Sequence, residues 1–595
     1  MKKTFLFLMM MLSAVWCYAG SYGILVNGTT YFAGEPAGEF EGFQQYLAHV
    51  QVAGGDRLQL YDVEYEAAWA VDLNTYSVAG FTRNGDHYEA SVTGCYDFYI
   101  KLKYGEDELY IGNGSNCGEG EDKQDIYRGA VPHQCEAVMM QAFYNESYSA
   151  TAPGVSEYGD TKWTTLTAQA SELGYYFDYL WLPPSAYGDG AGYHPKQYSN
   201  QNSNWGTRAE LETLISALHN AGAKVVADIV INHCANKSTW CDFYQMDFGE
   251  YGVFQPDASY ICQNDEVNLN PEAGDCYGAA TGSLDDGDNW SGARDWSHDN
   301  VYVQEMFIAY LQWMRNVMHY DGFRYDKGDG FNNWHHWNYN KHAKPEIAFM
   351  ECYSGTDEIQ NRINGAQGDL MGLDFDLKWH VFNSFAGWDY SRGRGDCIMS
   401  RGDGKHSVTF IESHDWFLRP DNDNEFGGRG NSMTPALKAR LMQANAFLLS
   451  MPGVPCVFYP HWAKYKEDLK PMILARKWAG VHSESEVKDE YSTATGYQAT
   501  VVGKDGWLIL CLGDKTGQTF QGFTLAASNY STMEGHNESF EIWVNSSKER
   551  PIPMGVENPA SDFSLKERGE KFLKDGKLYI RCGKQVYDAF GKSVK

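Results

Sequence analysis

Two periodicities divide this chain. In "CYDFYIKLKYGEDELYIG" (95–112), Phe98, Ile100, Leu102 and Tyr104 alternate with Tyr99, Lys101 and Lys103. A period of two predicts a strand, then a turn, then another strand. Short alternating runs of this kind fill residues 20–115 and predict a small β-sandwich. From about Glu136 the pattern changes. "VMMQAFY" (138–144) and "FDYLWLPP" (177–184) are near-continuous apolar runs, and "GTRAELETLISALHNAG" follows. There Thr207 and Glu210 make a capping box, and Leu211, Leu214, Ile215 and Leu218 repeat with a helical period. "AKVVADIVI", "DGFRYD", "EIAFMECY", "VTFIESHD" and "PGVPCVFY" continue the series, separated by segments of helix length. Repeated β-α units with apolar strands predict a parallel sheet covered on both faces. A count near eight predicts a (β/α)8 barrel.

The rhythm breaks between Cys234 and Gly292, a stretch rich in Asp, Asn and Gly, which reads as a domain inserted after the third strand. Short strands return in "YQATVVGKDGWLILCLG". The expected organisation is a signal peptide at 1–19, an N-terminal β domain at 20–115 and a linker at 116–135. A barrel at 136–483 carries the insert at 234–292, a β-sandwich spans 484–555, and a short β tail spans 556–595. The N-terminal domain is expected to be a glycan-binding module, through aromatics such as Tyr61 or Trp69, or a spacer.

Polar residues at the strand ends carry the chemistry. Arg324 and Asp326 are two apart on a strand, so they share a face. A paired arginine keeps its carboxylate ionised, as either a nucleophile or half of a structural ion pair. Asp228, Glu351 and Asp415 also lie at or near C-terminal strand ends, with His233 and His414 beside them. In a barrel that end holds the active site.

Composition narrows the class. The 595 residues carry a net charge of −30, which argues against nucleic acid and anionic membranes as partners. The 18 Trp and 40 Tyr fill a large core and also suit surfaces that stack on sugar rings. "MKKTFLFLMMMLSAVWCYAG" reads as a secretory signal cleaved after Ala19, and Trp16 is a poor predecessor for lipid attachment at Cys17. No later run is long and apolar enough to span a membrane. The protein is therefore expected to be secreted, or held at the cell surface or in the periplasm. Of 13 cysteines, Cys234, Cys241, Cys262 and Cys276 cluster in the insert and are expected to form disulfides of unspecified pairing.

The chain resembles the α-amylase family, glycoside hydrolase family 13, over roughly Val138 to Arg550. "DIVINH", "GFRYD", "MECYSG" and "FIESHD" stand in the family's order, and "GYHPKQY" is also similar. The resemblance implies Asp326 as nucleophile and Glu351 as acid and then base. Asp415 would hold the distorted sugar, and Arg324 would keep Asp326 ionised. His233 and His414 would bind sugar hydroxyls, Tyr193 would stack on the ring, and Asp228 would support Arg324. Retention requires the two carboxylates about 5–5.5 Å apart, with the acid's pKa raised. The resemblance also implies a structural calcium held by Asn232, Asp295 and a carbonyl near Gly330, a donor set of hard oxygens.

Two positions depart from the family. Asp329, before a Gly330 that fits the family's His or Gly, stands where a basic residue is common, and Ser413 stands where Asn is common. The expected activity is that of a monomeric retaining α-amylase on starch, glycogen or maltooligosaccharides. The alternatives are a neopullulanase, a cyclomaltodextrinase, a transglycosylase or a noncatalytic starch-binding protein.

Overall fold

Eight short strands close into a parallel barrel in the computed structural model. They are β1 (Met139–Gln141), β2 (Tyr179–Leu182), β3 (Lys224–Ile229), β4 (Gly322–Tyr325), β5 (Ile347–Met350), β6 (Met371–Leu373), β7 (Ser407–Phe410) and β8 (Val454–Phe458). Each pairs with the next in chain order, and β8 pairs back onto β1. Every residue in them is buried except Lys224 at the start of β3. That explains the near-continuous apolar runs: helices cover the outer face and side chains fill the interior.

The structure describes residues 129–554 apart from 145, 286, 289–291, 416, 418–439 and 534. Outside that span it describes the strands named below with residues 53–56 and 91–93. The signal peptide, the linker over 116–128 and the side chains of Tyr61 and Trp69 lie outside the described residues. The chain divides into two compact units, Met1–Arg128 and Gly129–Lys595.

The first unit holds two sheets. One is ordered Thr29–Phe32, Tyr22–Val26, Arg57–Asp62, His87–Ala90, Phe81–Asn84, with Ala67–Trp69 also on Arg57–Asp62. The other is ordered Glu35–Phe40, Phe43–Val52, Gly94–Lys101, Glu108–Asn113, Asp72–Leu73. The alternating run quoted above is the hairpin Gly94–Lys101/Glu108–Asn113, in register Phe98↔Ile111. Ile24, Val50, Val52, Leu58, Leu60 and Phe98 are buried in this unit.

In the second unit, the helix after β2 is Arg208–Asn220. Both halves of its capping box form: Thr207 Oγ1 accepts from Glu210 N at 3.3 Å, and Glu210 Oε2 accepts from Thr207 N at 2.8 Å. Its buried residues are Leu211, Leu214, Ile215 and Leu218, the four that set its period. The sequence pattern names seven of the eight barrel strands and passes over β6. Only three residues long, β6 is followed by the acids of "DFD". A Cβ on its Gly372 would fall 2.4 Å from Ile359 Cγ2, so glycine admits the covering helix Thr356–Gly365.

The insert leaves the barrel at His233–Cys234 and returns at Arg294–Asp295, and these two segments pair antiparallel. Of its four cysteines, Cys241 and Cys276 are bridged. Cys234 and Cys262 are buried thiols, so the expectation that all four form disulfides is corrected. The insert buries part of its own core, including Phe243, Met246, Phe248 and Ile261, so packing as well as the one bridge holds it. After the barrel, helix Tyr459–Ala479 and a five-stranded antiparallel sheet pack together. Its strand order is Glu486–Ser492, Gly496–Val502, Gly506–Gly513, Phe540–Ser546, Thr524–Asn529. The tail forms a four-stranded antiparallel meander, Glu570–Lys574, Lys577–Cys582, Gln585–Asp588 and Ser593–Val594. No helix among the described residues is long and apolar enough to cross a membrane.

Candidate active site

Arg324 lies on β4 with no exposed surface. Its Nη1 reaches Asp326 Oδ1 at 2.6 Å and Asp228 Oδ1 at 2.8 Å, and its Nη2 reaches Glu351 Oε2 at 2.9 Å. One guanidinium therefore gathers carboxylates from the ends of β3, β4 and β5. The parallel register explains this: Asp228 sits opposite Arg324, and Glu351 follows the β5 residue opposite Tyr325.

Two residues that the sequence reading passed over complete this floor. Trp181 on β2 donates from Nε1 to Asp228 Oδ2 at 3.0 Å, and its ring lies 5.1 Å from the guanidinium. Gln141 on β1 contacts His414 Nδ1 through Nε2 at 2.8 Å. Gln141 is the only polar residue in its apolar run, and that is the signal that could have found it. Trp181 carries no such signal, because an aromatic in a buried strand is ordinary.

The remaining site residues converge on the same place. Tyr193 donates from its hydroxyl to Asp228 Oδ2 at 2.8 Å, and its ring stacks on His414 with centroids 5.0 Å apart. His233 Nε2 lies 2.8 Å from the Tyr193 carbonyl and Nδ1 lies 3.2 Å from Asn232 Nδ2. These contacts fit the neutral ring with its proton on Nε2, so here His233 supports the Tyr193 loop. His414 Nε2 lies 3.4 Å from Asp415 Oδ1, and Ser413 Oγ donates to Asp415 Oδ2 at 3.3 Å. Ser413 thus serves Asp415 at the position where the family often has Asn.

Burial sets the electrostatics. It pushes the Glu351 carboxyl well above the usual range; Asp415 and Asp326 add to this, and Arg324 opposes it. Burial likewise lifts Asp228 to about 7 against the pull of Arg324, and lowers His233 to about 4. Desolvation disfavours the charged form, and one guanidinium cannot neutralise every neighbouring carboxylate. The oxygens divide accordingly. Glu351 Oε2 lies at ion-pair distance from Arg324 Nη2 and accepts from the Lys327 amide (3.2 Å), and Asp326 Oδ1 accepts from Arg324 Nη1. Glu351 Oε1 and Asp326 Oδ2 take none of these donors.

Just after Asp326, Lys327 reaches back to the insert. Its Nζ pairs with Asp288 Oδ2 at 2.5 Å and Asp329 Oδ1 at 2.8 Å, and the Asp288 amide donates to the Asp329 carbonyl at 2.8 Å. The acid at position 329 is thus matched by a cation two residues earlier.

The expected calcium ligands fall on adjoining segments. Asn232 lies against Gly330, so close that a Cβ there would fall 1.9 Å from Asn232 Oδ1. Asp295 lies across the ladder from His233, and the Trp296 amide donates to the Asn232 carbonyl at 3.1 Å. Asp295 Oδ2 is buried with no hydrogen-bond partner, and burial beside Asp265, Asp285 and Glu266 pushes its carboxyl up to about 9. A buried carboxylate oxygen without a donor, near other hard oxygens, fits a divalent cation.

A profile described as "Alpha amylase, catalytic domain" matches residues 171–352. The probable α-amylase 2 of Arabidopsis thaliana is 25% identical over 444 residues, 70% of this chain and 98% of that protein. The chloroplastic α-amylase 3 of the same plant is 26% identical over 347 residues; the match covers 55% of this chain and 36% of that protein's length. The α-amylase type B isozyme of Hordeum vulgare is 31% identical over 141 residues, 23% of this chain and 78% of that protein. With the closed barrel, these matches show that the chain belongs to the α-amylase family of glycoside hydrolases, family 13.

Proposed function

We propose that the protein is a retaining, endo-acting α-amylase that hydrolyses internal α-1,4-glucosidic bonds of starch and glycogen. The observation that carries this reading is the pair of uncommitted oxygens, Asp326 Oδ2 and Glu351 Oε1, on two carboxyls held by one guanidinium. Asp326 Oδ2 attacks the anomeric carbon while the bond to the leaving glucose oxygen breaks. Glu351, kept protonated by burial, gives its proton to that oxygen. The product is a glucosyl ester on Asp326. Water then attacks the same carbon, Glu351 takes its proton, and Asp326 leaves as the carboxylate. Asp415, with His414 beside it, binds the hydroxyls of the distorted sugar. Tyr193 forms the platform, His233 supports it, and Asp228 orients Arg324.

Calcium at Asn232, Asp295 and the Gly330 carbonyl would supply structural cohesion between insert and barrel, and Gly330 stands four residues after the nucleophile. The leader at 1–19 supports export to the surface or beyond. A second reading, another α-glucan-active member of the family such as a neopullulanase or transglycosylase, is favoured by one feature. The Lys327–Asp288–Asp329 contacts replace the basic residue usual on the leaving side, where acceptors bind.

The test is digestion of soluble starch by the mature protein and by Asp326→Asn, following iodine colour and reducing ends together. Rapid colour loss with few new ends, absent in the variant, is expected of an endo-acting amylase. Slow colour loss with many small products would favour the second reading. Retention of starch with no new ends would leave a binding protein.

A further inference from the structure

The insert brings a second carboxylate to Asp295 that no family motif names. One oxygen from each of Asp265, Glu266 and Asp295 lies within 4.8 Å of the others. Their surroundings differ. Asp265 is fully engaged: Oδ1 accepts from the Val267 and Asn268 amides at 3.0 and 3.3 Å and pairs with Arg294 Nε at 2.9 Å. Its Oδ2 accepts from the Asp295 amide at 3.0 Å. Glu266 Oε2 and Asp295 Oδ2 are buried and receive no hydrogen bond, and Asp295 is only 4% exposed. Arg294 pairs with Asp265 through Nε and donates from Nη1 to the Trp240 carbonyl; its Nη2 is buried without a hydrogen-bond partner, so no hydrogen bond from it reaches either oxygen. A buried carboxylate oxygen without a donor is unfavourable, and two facing each other are more so. A hard divalent cation between them satisfies both at once.

We propose that Glu266 is a ligand of the structural cation together with Asp295, so that the metal clamps the insert to itself as well as to the barrel. This rests on the calcium reading given above. Glu266 opens the short helix Glu266–Leu269, which runs into the Pro271–Cys276 turn and the Cys241–Cys276 bridge. Asp295 lies on the returning strand that pairs with His233. The cation would therefore join the disulfide-bonded half of the insert to the strand that leads back to Asn232 and the site.

The test is calorimetric titration of the chelator-stripped full chain with calcium chloride, alongside its thermal midpoint with and without calcium. The wild type is expected to bind calcium and gain thermal stability. Glu266→Gln, with the same shape and no charge, is expected to bind about tenfold or more weakly and to lose most of that gain. Glu266→Asp keeps the charge, withdraws it by one methylene, and serves if the amide variant does not fold; it too should bind more weakly. Affinity equal to wild type in the folded variant overturns the proposal. No calcium binding by the wild type overturns the calcium reading itself, and this inference with it.

Discussion

Two clusters in this protein each set three carboxylates near one arginine, and they have opposite characters. Around Arg324, Asp228, Asp326 and Glu351 all reach the guanidinium, through Nη1 and Nη2. Around Arg294, only Asp265 does, while Glu266 and Asp295 keep buried oxygens with no donor. The first cluster is self-contained. Burial there pushes the Glu351 carboxyl up, which favours its protonated form, the form the proposed general acid requires. The second is incomplete, and its surplus is the kind a metal ion relieves. The same residue types, placed on barrel strands in one case and on an irregular insert in the other, yield one cluster gathered on its arginine and one that keeps buried oxygens without a donor.

The largest blow to the first cluster is removal of its arginine. Arg324→Gln leaves three buried acids without their common partner. It is expected to cost about 3–5 kcal/mol, read in chemical denaturation, and to remove nearly all activity. Next comes the proton. Glu351→Gln should lower turnover of starch by roughly 10²–10⁴-fold and far less for a substrate whose leaving group needs no proton. The sign of the pH dependence follows from the raised carboxyl. The acid is competent below its folded-state pKa and fails as pH rises through it, so wild type should show an alkaline limb on kcat/KM. The variant, assayed with the activated substrate, should lack that limb.

In the second region, Cys241→Ser opens the bridge around the insert. A loss of about 2–4 kcal/mol in the insert's stability is expected, visible as faster proteolysis there with the barrel intact. The smallest effect belongs to the lip between the regions. Lys327→Met frees Asp288 and Asp329 and should change stability by under about 1 kcal/mol. The change should fall on KM or on the transfer-to-hydrolysis ratio, and an unchanged product profile would remove the argument for a transglycosylating role.

What the sequence made legible follows from strand geometry. Asp228, Arg324 and Glu351 could be placed together because parallel strands in register bring their C-terminal ends to one rim, and a polar residue ending an apolar run is conspicuous. The helix at 208–220 was legible because capping and stripe agree. Trp181 was not, because its role depends on one indole N–H aimed at Asp228 across a strand pair. The strand at 371–373 was hidden by its length and by Gly372. The pairing of Cys241 with Cys276, and the approach of Glu266 to Asp295, depend on loops without period, where spacing carries no distance information.

The central claim is that Asp326 forms a bond to the sugar. It is tested most directly by reacting the protein with a fluorinated glucosyl fluoride that forms the intermediate quickly and releases it slowly, followed by intact-mass and peptide measurement. The account predicts one added sugar, carried by the peptide containing Asp326 and absent in Asp326→Asn. An adduct on another residue, or none while the enzyme still turns over starch, would contradict it.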